Sequence, residues 1–209
     1  MDRKLSRRGF LQQSMFTTAG TTLRSLPLVV AAQGIGAASA DGFGADAERS
    51  AEGLIGITLE VNGSARKLEV EPRATLAEVL RGPLGLKGTK IACNRGACSA
   101  CTVWLDGAPV CSCMMLAIDV GERRVTTIEG LAGHDGLHPV QASFIEHDAV
   151  QCGFCTPGMV MSCAALLRDR PSATEAEVRR AIGGHVCRCG TYPHVIAATL
   201  ALTKPPSKA

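Results

Sequence analysis

Residues 85–103 read Gly85-Leu86-Lys87-Gly88-Thr89-Lys90-Ile91-Ala92-Cys93-Asn94-Arg95-Gly96-Ala97-Cys98-Ser99-Ala100-Cys101-Thr102-Val103. Cys93, Cys98 and Cys101 stand in C-x4-C-x2-C spacing, and with Cys113 as a fourth thiolate they make a plant-type [2Fe-2S] ligand arrangement. The residues between them are small for a physical reason. A chain that wraps closely round an inorganic core must aim backbone N–H groups at sulfur, and large side chains would obstruct it. A C-x4-C-x2-C loop with a distant fourth cysteine is not the usual zinc spacing, so zinc is the weaker reading.

Working outward, strand-like runs at 55–61 and 66–70 flank Asn62-Gly63, a strong hairpin signal. Thr75-Leu76-Ala77-Glu78 is a capping box that opens a short helix, and Gly82-Pro83 ends it. On the other side of the cysteine loop, 102–105, Asp106-Gly107 and the residues from Val110 onward spell a second hairpin, with a further strand at 125–128. A small mixed sheet crossed by one helix is expected over 54–130, with its strand order open.

Beyond about residue 130 the apolar period changes from two to helical. Candidate helices cover 139–147, 157–167, a stretch from the capping box Thr174-Glu175-Ala176-Glu177 through Ile182, and 193–202. Helices this short bury their apolar faces only by packing together, so a four-helix bundle is expected over 131–204. Cys152-Gly153-Phe154-Cys155 lies just ahead of Pro157, and Cys187-Arg188-Cys189 just ahead of Pro193. Proline suits the first helical turn, so both groups sit at helix starts. The positive ends of those helices favour an anionic, thiolate-rich cluster. A C-x2-C pair alone is shared with zinc sites and redox disulfides. Joined to C-x-C across 31 intervening residues it is far more specific.

The chain has 209 residues, 10 cysteines and 3% aromatics, which allows one medium domain or two small ones with an aliphatic core. At the N-terminus, Ser6-Arg7-Arg8-Gly9-Phe10-Leu11, a weakly apolar stretch and Ala38-Ser39-Ala40 form a twin-arginine export signal, residues 1–40, in preference to a basic amphipathic helix. The stretch is too short and polar for stable membrane insertion. A periplasmic location follows, with a flexible linker at 41–53 and a tail at 205–209. Residues 1–40 carry +4 of the formal net charge of +3, leaving −1 for the rest, so nothing argues for nucleic acid. Gly34-Ile35-Gly36 lacks the third glycine and the preceding strand of a dinucleotide fingerprint. Twin-arginine export carries proteins already folded round a cofactor, which favours metal over disulfides in an oxidising compartment.

With these runs in hand, the chain resembles the iron-sulfur subunit of the xanthine dehydrogenase and aldehyde oxidoreductase family of molybdenum hydroxylases over residues 55–203. The resemblance rests on Cys93 to Val103, on Gln151-Cys152-Gly153-Phe154-Cys155-Thr156-Pro157-Gly158 and on Cys187-Arg188-Cys189-Gly190. It implies an α+β chain, with a β-grasp ferredoxin-like domain followed by a helical bundle, each holding one [2Fe-2S] cluster. The ligands would be Cys93, Cys98, Cys101 and Cys113 for the first, and Cys152, Cys155, Cys187 and Cys189 for the second. It further implies a large partner subunit that binds the molybdopterin cofactor and does the catalysis, with Gln151 and Cys189 at the pterin contact. No catalytic residue is expected on this chain. Electrons from an aldehyde or an N-heterocycle would pass to the bundle cluster, then the ferredoxin-like cluster, then an acceptor: an FAD subunit, a cytochrome or a quinone. Arg95 and Ser99 depart from the family, where an acid and a glycine are frequent.

The first quartet, on a small-residue loop, is expected near the surface, and the second between helix starts where a partner could cover it. Cys111 and Cys163 read as buried thiols, since a disulfide between them would need both domains to bring them together. His134, His138, His147, His185 and His194 read as surface or loop residues, and Met114, Met115, Met159 and Met161 as core fillers. Two rival functions are a stand-alone periplasmic two-cluster electron shuttle and a disulfide-stapled binding module.

Overall fold

The computed structural model describes residues 53–133 and 136–204. The expected export segment, the linker up to residue 52, His134 and the tail lie outside the described residues.

Asn62 and Gly63 both take positive φ, 51° and 74°, and turn β1 (Ile55–Val61) back into β2 (Ser64–Val70) as an antiparallel pair. Such a pair of left-handed residues matches the twist of the strands it joins. Asp106 and Gly107, at φ 49° and 84°, do the same between β3 (Thr102–Leu105) and β4 (Ala108–Cys111). The fifth strand is shorter than its sequence suggests. β5 (Arg124–Thr126) gives way to a 3-10 turn at Ile128–Gly130, because Thr127 N–H leaves the ladder to donate to the side chain of Asn62. The order is β2-β1-β5-β3-β4, with β5 parallel to β1 and antiparallel to β3. The last strand in sequence thus fills the centre and joins the two hairpins.

Helix α1 (Leu76–Arg81) begins at a full capping box: Thr75 accepts from Glu78 N–H, and the Glu78 carboxylate accepts from Thr75 N–H. Of its buried face, Leu76, Val79 and Leu80 pack on the sheet residues Leu59, Val61, Val103 and Val125, while Ala77 packs on Cys101 and Cys113.

Four further helices follow: α2 (Pro139–Glu146), α3 (Thr156–Asp169), α4 (Glu175–Ile182) and α5 (Tyr192–Leu200). Each lies within two residues of its expected ends. They share a core built on Phe144, Met159, Val160, Val178, Val195 and Ile196. His138 and Thr174 cap α2 and α4, the first being a role that its sequence position did not disclose.

The sheet and the helices belong to one compact unit. Strand β3 is the seam. Val103 and Leu105 face the sheet core, while Trp104 packs on the helical core and donates its indole N–H to the Met161 carbonyl of α3 at 2.9 Å. Arg168 closes the seam by stacking over the Trp104 ring, 4.9 Å from its centroid, and donating to the Gly107 carbonyl.

Candidate iron-sulfur sites

The first quartet is assembled by a loop and a turn. Asn94, Gly96 and Ser99 all take positive φ (47°, 73°, 55°), and the backbone curls so that its N–H groups point inward. Ala97 N–H lies 3.2 Å from the sulfur of Cys93, and Gly96 N–H lies 3.4 Å from that of Cys113. Cys113 is brought back by the 3-10 turn Ser112–Met114. Ser112 is buried, and both its N–H and its hydroxyl donate to the Cys101 carbonyl, at 3.3 and 2.7 Å. Behind the sulfurs, Ala77 of α1 and Ile91 pack on Cys101 and Cys113.

The second quartet is assembled by two helix starts. Cys155 is the N-cap of α3, and Cys187 lies against Thr191, the N-cap of α5, with sulfur and hydroxyl 3.3 Å apart. The Tyr192 hydroxyl accepts from Cys187 N–H at 2.8 Å and donates to the His185 carbonyl at 2.9 Å, pinning the loop that carries the C-x-C pair.

Thiol acidities follow these surroundings. The backbone N–H of Arg95, then the Cys98 thiol, lowers Cys93 to about 7. Burial raises Cys113. Burial, reinforced by Cys187, lifts Cys155 to about 12. Cys187 is raised by burial, but hydrogen bonds from Thr191, Cys155 and Gly190 outweigh that and bring it to about 7. A thiol with N–H and O–H donors around it is prepared to be a thiolate, the form that binds metal.

The thiols interact in pairs: Cys93 with Cys98, Cys101 with Cys113, and Cys155 with Cys187, with Cys152 close enough to raise Cys155 further. Among the described residues no three His, Cys, Asp or Glu side chains gather on one point. The soft, all-thiolate donor set and the inward N–H groups fit [2Fe-2S] at both places.

Exposure distinguishes the two quartets, and the first loop lies at the surface as expected, with Ala92, Asn94, Arg95 and Ala97 exposed. The first quartet is the more covered, with Cys101 and Cys113 buried and Cys93 and Cys98 half-buried. In the second, Cys152 and Cys189 are exposed, beside exposed Gln151, Phe154, Val186 and Arg188. Gln151 and Cys189 both stand on this open face.

The two quartets meet through backbone. Val186 N–H donates to the Cys98 carbonyl at 3.2 Å, and Gly158, in the first turn of α3, sits so close to the first loop that a Cβ there would lie 2.3 Å from the Ser99 carbonyl. Sequence reasoning included Gly158 in a matching run without seeing why glycine is required.

Cys163 is fully buried in the helical core and burial raises it to about 11, whereas Cys111 is half-buried at the end of β4, 3.9 Å from the Ser99 hydroxyl. His185 is a loop residue but not a surface one. It is buried, with Nε2 2.8 Å from the Ser162 hydroxyl, and burial lowers it to about 4. Met159 and Met161 are core, Met115 is half-buried, and Met114 is 64% exposed rather than a core filler. Ser112, Thr191 and Tyr192 escaped sequence reasoning, since nothing in their spacing marks them as holders of cysteine loops.

This is a protein of two joined iron-sulfur domains. Residues 59–127 match the family described as 2Fe-2S iron-sulfur cluster binding domain, and residues 127–200 the family described as [2Fe-2S] binding domain. The chain is 41% identical over 160 residues to the aldehyde oxidoreductase iron-sulfur-binding subunit PaoA of Escherichia coli (strain K12), covering 69% of this chain and 70% of that one. It is 46% identical over 145 residues to the nicotine 6-hydroxylase small subunit of Paenarthrobacter nicotinovorans, covering 69% and 87%. Its fold matches quinoline 2-oxidoreductase from Pseudomonas putida 86 with a TM-score of 0.69 at 42% identity, over 73% of this chain and 92% of that one. The chain belongs to the iron-sulfur subunits of the molybdenum hydroxylases, the xanthine dehydrogenase and aldehyde oxidoreductase family, with two [2Fe-2S]-binding domains.

Proposed function

We propose that this chain carries electrons between a large molybdopterin-binding catalytic subunit and an external acceptor. Cys93, Cys98, Cys101 and Cys113 hold one cluster in a β-grasp domain (54–130), and Cys152, Cys155, Cys187 and Cys189 hold the other in a four-helix bundle (131–204). Bound there, the clusters supply one-electron storage and transfer. The observation that carries the reading is the junction of the two cysteine loops, where Val186 N–H donates to the Cys98 carbonyl and Gly158 lies against the Ser99 carbonyl.

The open face at Gln151, Cys152, Phe154 and Cys189 is the donor side, where the partner's pterin would approach; the covered quartet then serves the acceptor side. The partner oxidises an aldehyde or an N-heterocycle, and the acceptor is an FAD subunit, a cytochrome or a quinone. The joined quartets favour this over a stand-alone shuttle, which needs neither a second cluster nor an open face beside it. The twin-arginine motif supports export to the periplasm, and among the described residues no helix is long and apolar enough to cross a membrane.

The purified chain should be brown, carry about four irons, and give two distinct [2Fe-2S] paramagnetic resonance signals on reduction. A colourless protein, or one that emerges without a large molybdenum subunit from its native source, overturns the assignment. Replacing Arg7 and Arg8 together by Lys should retain the complex in the cytosol with its clusters intact, as cell fractionation would report.

A further inference from the structure

We propose that the cationic rim of the first cysteine loop is the docking surface for an acidic electron-acceptor protein. This rests on the reading that electrons leave from that quartet. Between Glu78 and Asp106 the sequence has no acidic residue and four basic ones: Arg81, Lys87, Lys90 and Arg95. The asymmetry is local, since residues 41–209 sum to −1.

The structure draws the charges together. Arg81 Nη1 and Lys90 Nζ both donate to the Lys87 carbonyl, at 2.9 and 2.7 Å, and Lys87 Nζ donates to the Arg81 carbonyl. Arg81 also donates to the Thr89 carbonyl at 2.6 Å. Two cations on one neutral oxygen repel each other. Among the described residues none of the four is in an ion pair with a carboxylate. Glu129, the acid tied to this segment, directs its carboxylate to the Gly88 N–H and the Thr127 hydroxyl.

The charges also adjoin residues of the ligand site. Arg81 lies one helical turn beyond Ala77, which packs on Cys101 and Cys113, and Lys90 precedes Ile91, which packs there too. Arg95 is exposed within the loop itself. Beside Arg95 stands Met114, next to Cys113, 64% exposed, with its side chain lying over Gly96. An apolar centre within a charged rim is the anatomy of a protein interface, and one sign of charge around it steers a partner of the opposite sign. An anionic lipid surface would be drawn by the same charges, so it enters the test as a competing outcome.

The test uses the native complex, reduced with dithionite and freed of excess, then mixed in stopped flow with an acidic blue-copper protein or a basic cytochrome c. The acidic acceptor should be reduced faster, and its advantage should vanish with added salt. The double variant Lys87→Glu, Arg95→Glu should slow the acidic acceptor by at least roughly tenfold and leave the basic one as fast or faster. Affinity of the oxidised complex for the oxidised blue-copper protein should weaken by a similar factor, a readout independent of turnover. If charge reversal hinders loading of iron, the neutral pair Lys87→Gln, Arg95→Gln should give a smaller shift in the same direction. Equal rates and affinities for wild type and variant with the acidic protein overturn the docking proposal. So does charge-dependent sedimentation with phosphatidylglycerol vesicles while blue-copper affinity stays unchanged. Cys98→Ser separates the two layers. If it still reduces the acidic protein at the normal rate, electrons do not leave from this quartet and the underlying reading fails. If Cys98→Ser stops transfer while charge reversal changes nothing, only the docking proposal is lost.

Discussion

The two cysteine quartets have the same donor atoms and opposite construction. The first is made by a loop bent through three left-handed residues and by the turn that returns Cys113, with backbone N–H groups from the loop turned on sulfur and α1 packed behind it. The second hangs on the starts of α3 and α5, and the hydroxyls of Thr191 and Tyr192, four and five residues beyond Cys187, order it. The first has no fully exposed cysteine although its loop is at the surface, while the second has two. A self-contained loop can finish its own site. Helix ends splay their ligands toward whatever packs next, so the open quartet is the one that, on the proposed function, another subunit completes. Reduction potential depends on hydrogen bonding and exposure, so identical ligands in these two settings should differ in potential.

Removing one ligand from each quartet gives the largest effect. Cys98→Ser and Cys155→Ser should each cost about two irons per chain and one of the two paramagnetic resonance signals. With Cys98→Ser, substrate should still reduce the bundle quartet while turnover with the acceptor stops. With Cys155→Ser, no signal on this chain should be reducible by substrate. Normal turnover in the Cys98→Ser complex would falsify the proposed order.

Gly158→Ala attacks the place where the two constructions touch. The added methyl would lie 2.3 Å from the Ser99 carbonyl, and backbone cannot swing aside as a side chain can. A loss of about 1–3 kcal/mol is expected, partly offset by the better helix propensity of alanine. Thermal unfolding should fall by about 2–4 °C per kcal/mol. The magnetic coupling between the two signals should weaken, whereas a substitution that merely loosened one domain would leave it unchanged.

A matched pair of hydroxyl deletions sharpens the contrast. Tyr192→Phe leaves Cys187 N–H and the His185 carbonyl without their partner, and Ser112→Ala removes one of two donors to the Cys101 carbonyl. Each should cost about 1 kcal/mol, at the lower end for the half-buried tyrosine. Tyr192→Phe should perturb only the bundle signal, and Ser112→Ala only the ferredoxin-like one. Perturbation of both signals by either variant would mean that the quartets are not separately built.

The smallest effect is expected at Ser99, which holds φ 55° where glycine would adopt it freely. Ser99→Gly should shift stability by less than about 1 kcal/mol, toward the more stable side, as denaturant unfolding would measure. Its hydroxyl stands only in a long contact with Cys111, so little is lost.

The elements were legible in the sequence because their causes are local. Asn62-Gly63 and Asp106-Gly107 turn hairpins by their own φ preferences, Thr75 and Thr174 cap helices three residues away, and the cysteine spacing is fixed by the reach of a loop round a cluster. The misreadings are those where distant parts of the chain decide. Met114 looks like a core residue until the 3-10 turn at Ser112–Met114 points it outward over Gly96. His185 is the loop residue it was expected to be, but no local pattern shows that α3 buries it.

By itself, then, the sequence determined which cysteines form two groups, where strands and helices begin, and to which family the chain belongs, because spacing and periodicity act over a few residues. Only the tertiary structure decided that β5 crosses to the middle of the sheet, that Gly158 and Val186 lock one cysteine loop onto the other, and that the bundle quartet rather than the ferredoxin-like one is left open. Those outcomes depend on packing between segments far apart in the chain, where a single contact such as the indole of Trp104 on the Met161 carbonyl fixes a relation that no local pattern encodes.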